Sequence, residues 1–308
     1  MSAGWVAGGV RARAIARRRL GTGGARELAR VGSLAEAVAI LAESPYGRGV
    51  TAGTDLAGAQ RAVAATLLWH LRVLAGWLPG AGVGMLRSLA GWFEIANVDE
   101  HLQALADRPS EPPFSLGALA TSWPRLAATR STAELRATLA ASPWGDPGGE
   151  TDREIRLGMR MAWADRVATR VSAARGWATG AAALLVAKER FALGRPLPER
   201  TAVVARRLLG HQATTATTLA ELAAAVPPEG RWALAGIDDP ARLWEAELRW
   251  WRRLREDGDR LLGAATFGPD RIAGAVALLA ADAWLVRAAL AAAAHGGSQA
   301  VEVFDAVG

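Results

Sequence analysis

Apolar positions recur every three to four residues over most of the chain, and runs of strict alternation are nearly absent. Residues 55–78 place Leu56, Ala59, Val63, Leu67, Leu71 and Leu74 on one stripe, with Gln60, Arg61 and Arg72 outside it. That spacing predicts an amphipathic helix. Residues 238–262 repeat the pattern with Leu243, Trp244, Leu248, Trp251 and Leu254. There Asp239-Pro240 reads as a cap followed by Pro at the first helical position, and Glu245 with Arg249 reads as an i,i+4 pair on the wet face. Breakers fall at SPYGRG, PGAG, DRPSEPPF, SPWGDPGGE, GRPLPE, PPEG and FGPD. The best strand candidate is AVEVF at 300–304, which reads equally well as a helix end. The chain is therefore expected to be all-α.

Two stretches repeat. SLAEAVAILAESPYG runs from Ser33 to Gly47 and STAELRATLAASPWG from Ser131 to Gly145, identical at nine of fifteen positions, with Tyr46 standing against Trp144. Each opens on Ser with Glu three residues on, the capping-box spacing. Each closes on Ser-Pro, because the residue before Pro is pushed out of the α region. A third start, TLAELAAAVPP, has Glu221 three residues after Thr218 and Pro227 as its stop. Starts at 33, 131 and 218 give a period near ninety and suggest modules over 1–112, 113–212 and 213–308. Near the end of each module a second pattern recurs more loosely, at Glu94 to Asp99, Ala183 to Lys188 and Asp282 to Arg287.

Composition narrows the chemistry. The 308 residues are 51% hydrophobic but only 6% aromatic, with 13 Trp and one Tyr, a mix that favours helices. The net charge of +6 comes almost wholly from Arg, Lys188 being the one lysine. A pI near 11 set by Arg over nearly balanced acids is weak support for an anionic partner. With no Cys, disulfides, thiolate metal sites and Cys nucleophiles are excluded. The basic start RARAIARRRL leads into GTGG without an apolar segment, which argues against a signal peptide. The longest apolar run, Ile272 to Ala281, reaches about half of the roughly 20 residues a bilayer needs, so no membrane span is expected.

Catalytic constellations are not found. His70, His101, His211 and His295 are scattered, and Asp99, Glu100 and His101 are consecutive, so on a helix they diverge by about 100° each. The glycines of GTGGAR and GAGVG lack the Lys-Ser/Thr of a phosphate loop. Asp238-Asp239 lacks the later carboxylates of a Mg²⁺-binding aspartate motif and reads as a cap. The strongest charge cluster is Arg11, Arg13, Arg17, Arg18 and Arg19, a solvated or partner-facing helix; nucleic-acid binding is the alternative reading. Asn97, the one Asn, sits among apolar residues, as a buried hydrogen-bonding group would.

VRARAIARRRLG, SLAEAVAILAESPYG and FEIANVDEHLQAL together resemble the V-type ATPase central-axis subunit family, called C in prokaryotes and d in eukaryotes. Arg11, Arg13, Ala14, Tyr46, Glu94, Asn97 and Val98 carry the match. The acidic position holds Glu94 where Asp is commoner, and copies two and three lack the Asn. The resemblance implies three similar helical bundles around a pseudo-threefold axis, forming a funnel. It also implies a non-catalytic rotor adaptor that couples the central stalk of the ATP-hydrolysing head to the membrane proteolipid ring. The partners implied are those V-type ATPase subunits, with no nucleic acid, no cofactor and no metal. The implied location is cytoplasmic, held to the membrane indirectly. Arg11, Arg13, Arg17, Tyr46, Glu94 and Asn97 are the expected partner-interface residues.

Overall fold

A computed structural model describes residues 3–296 and is all-helical over them, with no strand among the described residues. The strand candidate at 300–304 lies outside the described residues. In chain order the helices are α1 (Ala3–Ala16), α2 (Gly21–Arg30), α3 (Leu34–Glu43), α4 (Leu56–Ala75) and α5 (Gly80–Leu105). There follow α6 (Trp123–Leu126), α7 (Thr132–Ala140), α8 (Asp152–Arg170), α9 (Arg175–Ala187) and α10 (Glu199–Leu209). The last are α11 (His211–Thr215), α12 (Leu219–Ala225), α13 (Leu243–Leu262) and α14 (Pro269–Ala294). The chain divides into two compact units, one built from the described residues up to 82 and from 251 onward, the other from residues 83–250.

In the first unit α14 is the central element, with α1, α2, α3 and α4 packed on it. Its sequence is apolar nearly all round, and eighteen of its residues are buried, as expected of a helix surrounded on every side. Small residues permit close approach. A Cβ on Gly274 of α14 would lie 2.8 Å from the Gly258 carbonyl oxygen of α13, so the two backbones touch where neither residue has a side chain. By length and composition α14 could cross a membrane, at a mean hydropathy of 1.7 over its best window. The run-length reading missed this because Asp282 and Arg287 interrupt it. Within the unit 72% of that window is buried.

In the second unit one core cluster joins α5 (Ile95, Val98, Leu102), α6 (Leu126), α7 (Leu135, Leu139), the Trp144 stop and α8 (Ile155, Met159). Each such large side chain contributes about 1.5–3 kcal/mol by leaving water. α9 packs against α8, α10 and α12 and against the 3₁₀ turn Arg231–Leu234. A π-helical turn, Lys188–Ala192, closes α9.

Local expectations hold at most caps. Asp55 starts α4 by accepting from the Gly58 amide at 2.8 Å. Ser33, Ser131 and Thr218 accept from the amides of Glu36, Glu134 and Glu221. The reciprocal carboxylate bond forms at Thr218–Glu221, and also at Thr151–Glu154, a start that the repeat reading missed. Glu134 instead accepts from the Arg130 amide, one residue upstream of the cap. Asp239 accepts from the Ala241 amide and opens a 3₁₀ turn, Pro240–Arg242, ahead of α13. The expected Glu245–Arg249 pair does not form as the main contact. Glu245 takes a bidentate bond from Arg242 at 2.8 and 2.9 Å, while Arg249 reaches the Ala235 carbonyl at 2.6 Å. The 3₁₀ turn brings Arg242 nearer, and a free carbonyl draws Arg249 away.

Candidate partner interface and the carboxylate nodes

The two Ser-Pro-aromatic-Gly stops have the same hydrogen bonds. Ser44 Oγ donates to the Leu41 carbonyl at 2.7 Å and accepts from the Tyr46 amide at 3.1 Å; Gly47 N–H donates to the Ser44 carbonyl at 3.0 Å. At the second stop Ser142 Oγ donates to the Leu139 carbonyl at 2.7 Å and accepts from the Trp144 amide at 3.1 Å; Gly145 N–H donates to the Ser142 carbonyl at 3.1 Å. Both turns drive their aromatic ring inward, leaving Tyr46 3% and Trp144 4% exposed.

Each ring then meets a buried carboxylate on a long helix. In the first unit the Tyr46 hydroxyl donates to Asp282 Oδ2 at 2.8 Å, and the Leu20 and Gly21 amides donate to the same carboxylate at 3.0 and 2.8 Å. In the second unit Trp144 Nε1 donates to Glu94 Oε1 at 2.7 Å, while the Ser122 and Thr121 amides donate to Oε1 and Oε2 at 2.8 and 2.5 Å. The physical need is the same in both. α2 and α6 begin without a side-chain cap of their own, and the amides at the start of α2 (Leu20, Gly21) and just before α6 (Thr121, Ser122) need acceptors from elsewhere. Asp282 and Glu94 supply acceptors from a distant helix. The reach also balances: the shorter carboxylate meets the longer phenol, and the longer carboxylate meets the indole.

The electrostatics follow from burial. The Tyr46 hydroxyl is held well above its ordinary pKa, first by burial and then by the charge and hydrogen bond of Asp282, with Arg19 opposing. Arg166 lies 4.6 Å above the Trp144 ring. Burial and then Arg170 lower its pKa, and Glu94 opposes the shift.

The third start is closed differently. α9 carries Ala183 where the other long helices carry a carboxylate. There a Cβ on Gly230 would lie 2.6 Å from the Thr179 side chain and 2.9 Å from the Gly180 amide nitrogen, and one on Gly176 would lie 2.7 Å from the Glu229 carbonyl oxygen. Backbone contact replaces the hydrogen-bonded node.

The six expected interface residues separate into two groups. Tyr46, Glu94 and Asn97 are buried and bonded to the chain's own groups. Asn97, wholly buried, donates through Nδ2 to the Phe114 carbonyl at 2.9 Å and accepts at Oδ1 from the Phe114 amide at 2.6 Å. It thereby pins the proline-rich connection to α5. Of the arginines, Arg11 turns inward and half-buried, with its guanidinium 5.9 Å from the Trp77 ring. Arg13 and Arg17 are exposed. They line a shallow groove of about 210 Å³ with Ala16, Arg19, Asp259, Leu262 and Gly263.

Asp99, Glu100 and His101 diverge as helical geometry requires. Asp99 pairs with Arg156 and Arg160, Glu100 accepts from the Glu111 amide, and His101 Nε2 lies 2.9 Å from Thr129 Oγ1. Among the described residues no group of three or more His, Cys, Asp or Glu side chains is placed to hold a metal ion. The carboxylate nodes were missed in the sequence because their partners lie 50 and 236 positions apart. The available signal was an acid flanked by apolar residues within a long helix, at Glu94 and at Asp282. No protein-family model matches the chain, and no curated protein matches it in sequence.

Proposed function

We propose that the chain is a non-catalytic rotor adaptor of a V-type ATPase, related to the central-axis subunits C and d that its motifs resemble. In this reading three helical modules stand around a pseudo-threefold axis as a socket. The central stalk of the ATP-hydrolysing head enters it, and the membrane proteolipid ring lies beneath. The adaptor carries out no covalent step; it passes torque.

The observation that carries the reading is the joint built twice. Glu94 on α5 ties that helix to the stop of α7, and Asp282 on α14 ties that helix to the stop of α3. Counted in the modules that the sequence repeat suggests, the first joint links the first module to the second and the other links the third to the first, which supports the reading. α9 against α12 and the Gly230 turn completes the series by backbone contact. A cyclic order of this kind is what a ring of copied modules requires, since an open row would leave its last long helix without a next neighbour. Torque transmission needs stiffness, and buried carboxylates with three donors each resist sliding better than apolar contacts alone, because hydrogen bonds are directional.

The test is purification of the endogenous chain from its native membranes under mild detergent. V-type head and ring subunits should co-purify in fixed stoichiometry and ATP-driven ion uptake should fail on deletion. A chain recovered without those subunits, with uptake intact in the deletion strain, would refute it.

A further inference from the structure

We infer that the groove at the end of α1 is a docking site for an acidic helical segment of a partner protein, one that presents two carboxylates a helical turn apart. This site stands on its own geometry and would survive the loss of the rotor reading.

Arg13 lies in the last turn of α1 and Arg17 just past its end, both exposed; the Arg17 amide donates to the Arg13 carbonyl at 3.1 Å, which sets the two Cβ atoms about 6 Å apart, as for i,i+4 neighbours. Two like charges in that relation repel one another, so their placement favours a function outside the helix. The helix C-terminal dipole offsets part of that repulsion, but it does not require two cations on one stripe. Arg19 is already engaged, donating through Nε to the Ala16 carbonyl at 2.8 Å and lying 3.7 Å from Asp259. The groove therefore holds three guanidiniums against one carboxylate. Arg11 is not among the lining residues and lies instead with its guanidinium 5.9 Å from the Trp77 ring.

The kind of anion follows from the other lining groups. Asp259 keeps 61% of its side chain exposed, so a carboxylate stands open beside the arginines. A nucleic-acid backbone brings only acceptors and would be repelled by that carboxylate. A protein helix brings carboxylates for Arg13 and Arg17 and can place a lysine or arginine opposite Asp259. The pitch of such a helix, about 5.4 Å per turn, matches the separation of the two arginines, and guanidinium with carboxylate forms paired, directional hydrogen bonds. The groove volume of about 210 Å³ suits side-chain tips lying in a surface cleft and not an enclosed small molecule.

The probe is a fluorescein-labelled, lactam-stapled peptide of sixteen residues with Glu at positions 5 and 9 and Lys at position 12. Its binding to the full chain is followed by anisotropy at about 50 mM salt, where such pairs are least screened. Binding should weaken at least tenfold in the Arg13→Gln/Arg17→Gln variant, and also when both Glu are changed to Gln. Asp259→Asn should change affinity for the Lys-containing peptide but not for one with Ala at position 12. Because Arg13 and Arg17 are exposed, circular dichroism of the double variant should match wild type. Equal affinity for the Gln peptide, or an unchanged double variant, would overturn the proposal. Duplex DNA competing at equal phosphate concentration would overturn it in favour of a general polyanion site.

Discussion

Glu94 holds three donors at once, and replacing it with Gln perturbs all of them without changing its volume. The side-chain oxygens accept from Thr121, Ser122 and Trp144. Gln keeps one oxygen and puts an NH₂ group where the other stood. If the NH₂ takes the Oε2 position it faces the Thr121 amide; if it takes Oε1 it faces two donors. In the better orientation one bond is lost, one buried amide is left without an acceptor, and the remaining two bonds lose the carboxylate's strength. A bond to a carboxylate contributes about 1.5–3 kcal/mol and an unsatisfied buried donor costs about 1–3 kcal/mol. The expected loss is therefore about 3–4 kcal/mol. At about 2–4 °C per kcal/mol for a unit of this size, the melting temperature should fall by about 6–16 °C. Trp144→Phe removes one bond and keeps most of the ring packing, so it should cost about 1.5–3 kcal/mol. A double-mutant cycle between the two should give a coupling energy above about 1 kcal/mol, as residues sharing one network do. Native-state hydrogen exchange locates the effect, with the Thr121 and Ser122 amides losing protection in Glu94→Gln while the α10 amides keep theirs. A loss below about 1 kcal/mol, or unchanged exchange at Thr121 and Ser122, would refute the role assigned to the node.

Tyr46 is the one tyrosine of the chain, so phenolate absorbance near 295 nm reports it alone. Because the fold raises its pKa, the unfolded chain releases that proton first; the associated stability is present below the ordinary value near 10 and is lost as pH rises above it. The phenolate band should emerge only together with alkaline unfolding, and a titration near pH 10 in the folded protein would contradict the buried Asp282 bond. Gly47 and Gly145 occupy the same place in the two stops for different reasons. A Cβ at Gly47 would lie 1.9 Å from the Ala42 carbonyl oxygen, whereas Gly145 has φ of 80° and open space around it. Gly47→Ala should therefore destabilise by more than about 3 kcal/mol and Gly145→Ala by about 1–2 kcal/mol, which chemical denaturation of the two variants compares directly. Asn97→Ala removes both bonds to the Phe114 backbone and should cost about 2 kcal/mol, with faster proteolysis confined to the connection around residues 108–116; cleavage as slow as in wild type would count against that tether.

The capped helix starts and the Ser-Pro stops were determined by the sequence alone, because each depends on groups within four or five residues, unlike the starts of α2 and α6. Ser33 meets Glu36, Ser44 meets Leu41, and Asp55 meets Gly58 whatever else the chain does. The all-helical class follows from the same local rules. In the candidate site Arg13 and Arg17 were legible as an exposed basic stripe, whereas Arg11, in the same cluster, turned inward beside Trp77. Tertiary structure decided that, because the two-residue offset from Arg11 to Arg13 turns a side chain about 200° around the helix and so changes which neighbour it meets. It also decided that Tyr46 and Glu94 face the interior, whereas Asn97 was already legible as a buried hydrogen-bonding group and only its partner, Phe114, needed the fold. Motif spacing marks a residue as constrained but does not say what it touches. The nodes needed the fold most: Asp282 satisfies two amides at the start of α2 across 262 and 261 positions of sequence. A buried carboxylate is stable only where donors converge on it, and donors from separate helices converge only once the helices have packed.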